Sequence, residues 1–289
     1  MGRSRRSLLR VAGGTIASGA VGTFLYGQSK RAEPTGSEAE ALVAGSLLRV
    51  ARATPGAAIE AHGSAAVRRL VLNDLRRPDV VALADPRLFE GITERATLFA
   101  TNALVLAYDR ESAYAGAIER DWKRAIESEG IAIGRTDPEL DPLGYRTVMG
   151  LRLAERTTEI DAQRVLEESQ ILPETELLSV LEGGSLDAAF TYRSMAVERG
   201  LAYRPLPARI DFSDPARAEE YASAAYDLEG RSIPGAPIRY GIAAITEDGR
   251  AWADRLVAAG KTLRKSGFTV PPEYPVRDTD LDATGPPGD

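Results

Sequence analysis

The stretch TDPELDPLGYRTVMGLRLAE, residues 136–155, joins a predicted strand to a predicted helix and decides how the rest of the chain is interpreted. Val148 and Leu151 recur at helical spacing, a proline at position 142 suits the first turn of a helix, and Asp141 is a suitable N-cap. The first N–H groups of a helix lack intrahelical partners and can therefore bind an anion. The stretch predicts either an ordinary helix cap or one side of an anion site.

Outward from this stretch, short apolar runs alternate with helical patterns. PDVVALAD (78–85) indicates a buried strand, ATLFATNALVLAYD (96–109) a longer one, and APIRYGIAAIT (236–246) a strand that returns late in the chain. This order predicts an α/β protein with mainly parallel sheets. In such sheets, ligands bind beyond the carboxyl ends of the strands.

Small residues and hydroxyl groups occupy the predicted strand ends. Each of these turns offers neutral hydrogen-bond donors, which suit a dianion that must be released again. A single serine at such a turn is equally consistent with a helix cap. Together the turns predict an anion site built from Ser46, Ser64, Leu143, Gly144, Thr191 and Tyr192.

Composition excludes several classes of function. The chain has 289 residues, of which 44% are hydrophobic and 27% charged, so it is globular and long enough for two modest domains. Its net charge of −6 argues against a nucleic-acid partner, because binding phosphates requires a basic surface. The absence of cysteine excludes disulfides and thiolate metal sites.

The N-terminus has the layout of a twin-arginine export signal. Arg5 and Arg6 precede a weakly hydrophobic, glycine- and alanine-rich run over residues 11–26, and a polar linker follows. We therefore expect a folded protein exported to the cell surface or the extracytoplasmic space. An uncleaved N-terminal anchor and a plain basic tail remain open alternatives.

Several motifs, in the same order, resemble the archaeal tungstate/molybdate-binding proteins of ABC importers, relatives of the bacterial molybdate-binding proteins. The resemblance runs from about Val43 to Pro272 and is carried by AGSL (44–47), EAHGSAAVRRL (60–70), VVALADPRLF (80–89), LFATNALVLAYD (98–109), DPLGYRTVMGLRLAE (141–155), GGSLDAAFTYRSMAVERGLAY (183–203) and PGAPIRYGI (234–242).

The resemblance implies a two-lobed, class II periplasmic-binding-protein fold with the ligand in the cleft between lobes. It also implies a monomer without a cofactor or enzymatic activity, which binds one small oxyanion and delivers it to the permease and ATPase of an importer. On this basis we expect an export signal and linker over 1–40, a first lobe from 41–106 plus 236–275, a second lobe over 107–235, and a flexible acidic tail over 276–289.

The resemblance also implies roles for particular residues. Ser46 and Ser64 would donate hydrogen bonds from the first lobe, and Tyr192 with the amides of Leu143 and Gly144 would donate from the second.

In the resembling family, two carboxylates approach the metal. Asp141 matches the first, within D-P-x-G-Y-R, as an alternative to its role as a helix cap. The second is expected in A-F-E-Y-R-S, where this chain reads AAFTYRS with Thr191. The substitution predicts a four-coordinate oxyanion, with Thr191 as a possible additional donor.

Other functions remain open from the sequence. The ligand could be sulfate or another tetrahedral oxyanion. An extracellular hydrolase would use Ser64 and His62 with an aspartate such as Asp85, although the chain has no G-x-S-x-G motif. A cytoplasmic sensing domain of a regulator would share the fold, but the export signal argues against it. Asn102 and Arg146 are predicted to be structural.

Overall fold

The computed structural model describes residues 38–158 and 160–280. The predicted export signal, nearly all of the predicted linker and residues 281–289 lie outside this range. Within the described residues, no helix is long and apolar enough to cross a membrane.

The strands, numbered in chain order, are β1 Ala39–Ala44, β2 Ala57–His62, β3 Val80–Leu83, β4 Arg95–Thr101, β5 Leu104–Tyr108, β6 Ile133–Thr136, β7 Gln170–Leu172, β8 Ala188–Tyr192, β9 Ala202–Pro205, β10 Ala225–Leu228, β11 Arg231–Pro234, β12 Arg239–Ala244 and β13 Val276–Asp280.

The helices are α1 Leu48–Ala53, α2 Ser64–Leu72, α3 Ala115–Ala125, α4 Pro142–Glu155, α5 Ala162–Glu168, α6 Leu177–Glu182, α7 Arg193–Arg199, α8 Ala218–Ala222, α9 Glu247–Ala258 and α10 Gly260–Lys265. Three short 3-10 turns cover Gly45–Leu47, Pro86–Phe89 and Pro215–Arg217.

The strands form two main sheets, one in each lobe. The first has the order β13-β4-β12-β3-β1-β2 and the second β7-β6-β8-β5-β9, while β10 and β11 form a separate hairpin. Both main sheets are mixed, because β12 is antiparallel to β3 and β4, and β5 is antiparallel to β8 and β9. The two-lobed α/β prediction is confirmed, whereas the expectation of mainly parallel sheets is wrong. In the first sheet β12 runs against both of its neighbours, and in the second sheet β5 does.

The chain crosses from the first lobe to the second at residues 102–103. β4 belongs to the first sheet and β5, which follows almost directly, belongs to the second. The first lobe was expected to continue to residue 106, but the chain crosses before residue 104. All of β5 therefore lies in the second sheet, between β8 and β9. The strand β13 covers the start of the predicted tail, and its Val276 pairs with Leu98 of β4.

Parallel strands explain where the loops of interest meet. In the first sheet, β1 is parallel to β2 and β3, so the loops after these three strands leave the same edge. In the second sheet, β6 is parallel to β7 and β8, with the same result. The strands β3, β5 and β8 are buried at every residue, as strands covered on both faces must be.

Candidate functional site

The two predicted serines follow strands of the first sheet and are buried. Ser46 lies in the 3-10 turn after β1 and Ser64 is the first residue of α2, with exposures of 1% and 0%. Neither side chain caps its helix. The Ser64 Oγ accepts a hydrogen bond from the Ala84 N–H at 3.0 Å, and the Ser46 Oγ accepts one from the Tyr240 hydroxyl at 3.0 Å. The interpretation of these serines as caps is therefore wrong.

The helix predicted from the stretch at 136–155 is present as α4, with Asp141 as its N-cap. The Asp141 Oδ1 accepts hydrogen bonds from the Gly144 N–H at 2.9 Å and the Thr136 hydroxyl at 2.8 Å. The Leu143 N–H also faces this carboxylate. The expected cap is confirmed, but it engages the Gly144 amide that was expected to be an unpaired donor for an anion.

A second carboxylate that sequence reasoning missed lies beside the serines. Glu174 belongs to the loop after β7 and is only 5% exposed. Its Oε2 accepts a hydrogen bond from the Gly45 N–H at 3.0 Å, whereas its Oε1 has no hydrogen-bond partner. The signal that could have revealed Glu174 is its place after a strand parallel to β6 and β8. Recognising this position requires the order of strands in the sheet, which the sequence alone does not determine.

Glycines allow the loops of the two lobes to touch. A Cβ at Gly45 would lie 2.6 Å from the Glu174 Oε2. A Cβ at Gly63 would lie 2.3 Å from the Leu140 carbonyl oxygen and 2.5 Å from the Asp141 Cβ. The serine loops of the first lobe are thus in direct contact with Asp141 and Glu174 of the second lobe.

Tyr192, at the carboxyl end of β8, is the remaining hydroxyl predicted for the anion site. It is fully buried, and its hydroxyl accepts a hydrogen bond from Arg146 Nη1 at 2.8 Å. The same nitrogen donates to the Ala84 carbonyl at 2.9 Å, and Arg146 Nη2 pairs with Asp85 at 3.2 Å. A guanidinium cannot accept, so the Tyr192 hydroxyl receives this bond and keeps its own proton for an acceptor. Arg146 therefore links the first and second lobes behind the site.

The structure does not bring Thr191 to the site. Neighbouring residues of a strand point to opposite faces, so Thr191 and Tyr192 cannot both face the cleft. The Thr191 hydroxyl lies 3.4 Å from the Met195 Sδ of α7. The structure therefore places the Thr191 hydroxyl against α7 rather than beside the serines, and a donor role for Thr191 stays a prediction.

Both carboxyl groups have pKa values above their ordinary range. Burial raises the pKa of Asp141 to about 7 despite the hydrogen bonds from Gly144 and Thr136. Burial and the nearby Asp141 raise the pKa of Glu174 well above its usual value, and the hydrogen bonds from Ser46 and Gly45 oppose that rise. Negative charge is therefore costly here unless a positive centre compensates it.

The residues of the hydrolase alternative do not form a triad. His62 Nε2 lies 2.8 Å from Glu60 Oε1 at a half-exposed position. Asp85 is engaged by Arg87, by Arg146 and by the Tyr145 hydroxyl. Across the part of the chain that the structure describes, no group of three or more His, Asp or Glu side chains is placed to hold a metal ion.

Sequence comparison identifies relatives over most of the chain. Residues 37–269 match the family model described as bacterial extracellular solute-binding protein. A Haloferax volcanii protein, provisionally named an ABC transporter molybdenum-binding protein, is 43% identical over 290 residues, covering 94% of this chain and 93% of the relative. The molybdate/tungstate-binding protein of Pyrococcus abyssi is 31% identical over 223 residues, which is 65% of each chain.

Structural comparison supports the fold. The periplasmic molybdate-binding protein of Azotobacter vinelandii matches with a TM-score of 0.59 at 14% identity, covering 81% of this chain and all of that protein. The sulfate-binding protein of Mycobacterium tuberculosis matches with a TM-score of 0.54 at 15% identity, covering 85% and 88%. At such identities the likeness shows the periplasmic-binding-protein fold alone.

Proposed function

The chain belongs to the family of bacterial extracellular solute-binding proteins, and on that premise we propose that it captures molybdate or tungstate between its lobes for an ABC importer. A solute-binding protein binds and releases its ligand unchanged, so the chain is not an enzyme. The importer's permease and ATPase are its partners, and its place of action is extracellular. Export by the twin-arginine route, from Arg5 and Arg6, is part of the proposal.

One observation carries the proposal: the serine loops of the first lobe touch two buried carboxylates of the second. The contact joins Gly45 to Glu174 and Gly63 to Asp141. A ligand at this contact would be enclosed by both lobes, as a clamp that delivers a solute requires.

The donors at this contact suit an oxyanion. The hydroxyls of Ser64 and Tyr192 each receive a hydrogen bond from a protein donor, which leaves their protons available to a ligand oxygen. The Ser46 hydroxyl receives one from Tyr240, and its proton, which Glu174 accepts without ligand, would turn to the oxyanion. The Gly45 N–H is a further donor at the contact between the lobes, where it donates to the Glu174 Oε2 in the absence of ligand. Neutral donors of this kind hold a dianion without a fixed opposite charge.

The carboxylates favour a metal oxyanion over sulfate. Beside a sulfate dianion both carboxyl groups would have to stay protonated, because the anion adds to the burial that already raises the pKa values of Asp141 and Glu174, and sulfur accepts no further oxygen ligands. Molybdenum and tungsten can accept carboxylate oxygens as additional ligands, and their positive centre offsets the burial that raises both pKa values. Glu174 thus supplies a second carboxylate that the sequence around Thr191 lacks, and we propose a coordination number above four.

A screen of oxyanions tests the proposal. Molybdate and tungstate should raise the melting temperature of the purified protein, because a ligand that binds only the folded state stabilises it by about 4 kcal/mol at a thousandfold excess over Kd. Sulfate and phosphate at equal concentration should have little effect. An equal shift with sulfate would refute the choice of a metal oxyanion, and no shift with any of the four would refute the proposed function.

A substitution of the missed carboxylate sharpens the test. Glu174→Gln should weaken tungstate and molybdate binding in calorimetry while leaving sulfate binding nearly unchanged, since glutamine keeps the shape of the protonated carboxyl group but cannot supply a carboxylate ligand to the metal. Glu198→Gln is the matched control, because burial also raises the pKa of Glu198 but it lies on α7 and is not among the site residues. Parallel losses for sulfate and molybdate in Glu174→Gln would contradict the role in coordination.

A further inference from the structure

Ser46 stands at the end of a chain of buried hydrogen bonds that leads to the crossing between the lobes. The Asn102 Nδ2 lies 3.2 Å from the Tyr240 hydroxyl, which lies 3.0 Å from the Ser46 Oγ. All three side chains have exposures of 1% or less. The Tyr240 ring is held edge-on by Phe99 and Phe268, with centroid distances of 6.3 and 5.2 Å.

The direction of these hydrogen bonds is fixed by backbone groups. The Asn102 Oδ1 accepts from the N–H of Ala103 at 3.0 Å and from the N–H of Ser194 at 3.3 Å. A backbone N–H can only donate, so the amide oxygen must face these two groups and the amide nitrogen must face Tyr240. The Tyr240 hydroxyl then accepts from Asn102 and donates to Ser46. With a lone pair of its oxygen engaged in this way, the Ser46 hydroxyl directs its own proton away from Tyr240, toward the side where Glu174 accepts it in the ligand-free protein.

We propose that Tyr240 and Asn102 are positioning residues that commit the Ser46 hydroxyl to donating toward the ligand. This inference rests on the proposed function, in which Ser46 contacts the oxyanion. We call the hydrogen bonds from Asn102 to Tyr240 and from Tyr240 to Ser46 the relay. Without the relay, a serine hydroxyl can rotate and accept as easily as it donates. A hydroxyl in the accepting orientation presents oxygen lone pairs to an anion. The relay removes that orientation before the ligand arrives.

The relay draws on both lobes. Tyr240 belongs to β12 of the first sheet, Ser194 belongs to α7 of the second lobe, and Asn102 lies between β4 and β5, where the chain crosses. The other two hydroxyls of the site each accept directly from a group that can only donate. Ser64 accepts from the Ala84 N–H, and Tyr192 accepts from the Arg146 guanidinium. Ser46 is the member of the set whose orientation depends on a chain of side chains.

A double-mutant cycle on molybdate affinity tests the relay. Tyr240→Phe should weaken binding about fivefold, because Ser46 loses the donor that orients it, and Ser46→Ala should weaken binding about thirtyfold. The double variant should match Ser46→Ala within about twofold, since Tyr240 acts only through that hydroxyl. A packing role for Tyr240 would instead give losses that multiply.

Controls separate the relay from general damage. Tyr108→Phe removes another buried tyrosine hydroxyl, which donates to Glu119 at 2.6 Å within the second lobe, and should leave affinity unchanged. If Tyr240→Phe does not fold, Asn102→Asp takes its place in the cycle. An aspartate oxygen would take the Tyr240 proton and reverse the relay, so its cost should be larger with Ser46 present than in Ser46→Ala.

The outcomes are distinct. Losses that multiply in the cycle, or a Tyr240→Phe variant that binds molybdate as the parent does, would overturn the relay while leaving the proposed function intact. A parent protein that binds neither molybdate nor tungstate would overturn the proposed function, and with it the donor role of Ser46.

Discussion

Replacing Asp141 by asparagine should stabilise the ligand-free protein at neutral and alkaline pH. Asparagine caps helices as well as aspartate does, so its Oδ1 can keep the hydrogen bonds from Gly144 and Thr136 that begin α4. What the substitution removes is a carboxyl group that is 2% exposed and whose burial raises its pKa.

The magnitude follows from the pKa. The ordinary value of 3.8 rises to about 7 in the fold, so folding disfavours the charged form of Asp141. Its contribution to stability is fully present below pH 3.8 and is lost as pH rises through 7. Roughly three pKa units at 1.36 kcal/mol each amount to about 4 kcal/mol. Asp141→Asn should therefore match the parent at pH 4 and exceed its free energy of unfolding by about 4 kcal/mol at pH 8.

Urea unfolding from pH 4 to pH 9, without added oxyanion, measures this difference. In a melting experiment, the gain at pH 8 corresponds to roughly 8–16 °C for a domain of this size. Asp161→Asn is the matched control, because Asp161 also caps a helix, accepting from the Arg164 N–H at 2.9 Å, but is exposed. If Asp141→Asn follows the pH profile of the parent, burial does not control this carboxyl group and the reasoning fails.

Three further substitutions test the contacts around the site. Gly63→Ala has an allowed φ of −58°, but its methyl group would lie 2.3 Å from the Leu140 carbonyl oxygen of the facing loop, so it should lower the melting temperature and weaken molybdate binding at least tenfold by calorimetry. Asp85→Asn leaves Arg146 as a buried charge without a counter-ion, and should lower the free energy of unfolding in urea by about 3–5 kcal/mol. Thr191→Glu places a carboxylate against Met195 rather than in the cleft, so thermal melts should show destabilisation and calorimetry no gain in preference for tungstate. An unchanged melt in either of the last two, or unchanged affinity in the first, would contradict the contacts described.

Local patterns predicted the elements well where a short segment carries its own signal. The helix at α4 begins at Pro142 with Asp141 as cap, as expected, because proline and a side-chain acceptor act within one turn. The positions of Ser46 and Ser64 after strands were also predictable, since apolar runs mark strands and small polar residues mark their ends.

Local patterns left the direction of side chains undecided rather than their position. Thr191 and Tyr192 are neighbours, and only pairing with β5 decides which of them faces the cleft. The sequence predicts the Gly144 amide as a donor to an anion, yet that amide serves Asp141, and a Cβ at Gly144 would lie 2.6 Å from the backbone of Asp137, so the glycine serves local packing. A sequence pattern does not report which neighbour a small residue accommodates.

The sequence by itself determined the alternation of strands and helices, the donor residues at strand ends and the family, because these depend on residue type and spacing along the chain. The tertiary structure alone decided that Glu174 joins Asp141 and that Tyr240 and Asn102 stand behind Ser46. These groups lie far apart along the chain, up to 194 residues for Ser46 and Tyr240, and they meet because parallel strands end at a common edge and because the chain crosses between sheets at Asn102. Strand order and crossing are set by long-range packing of buried faces, which local periodicity does not encode.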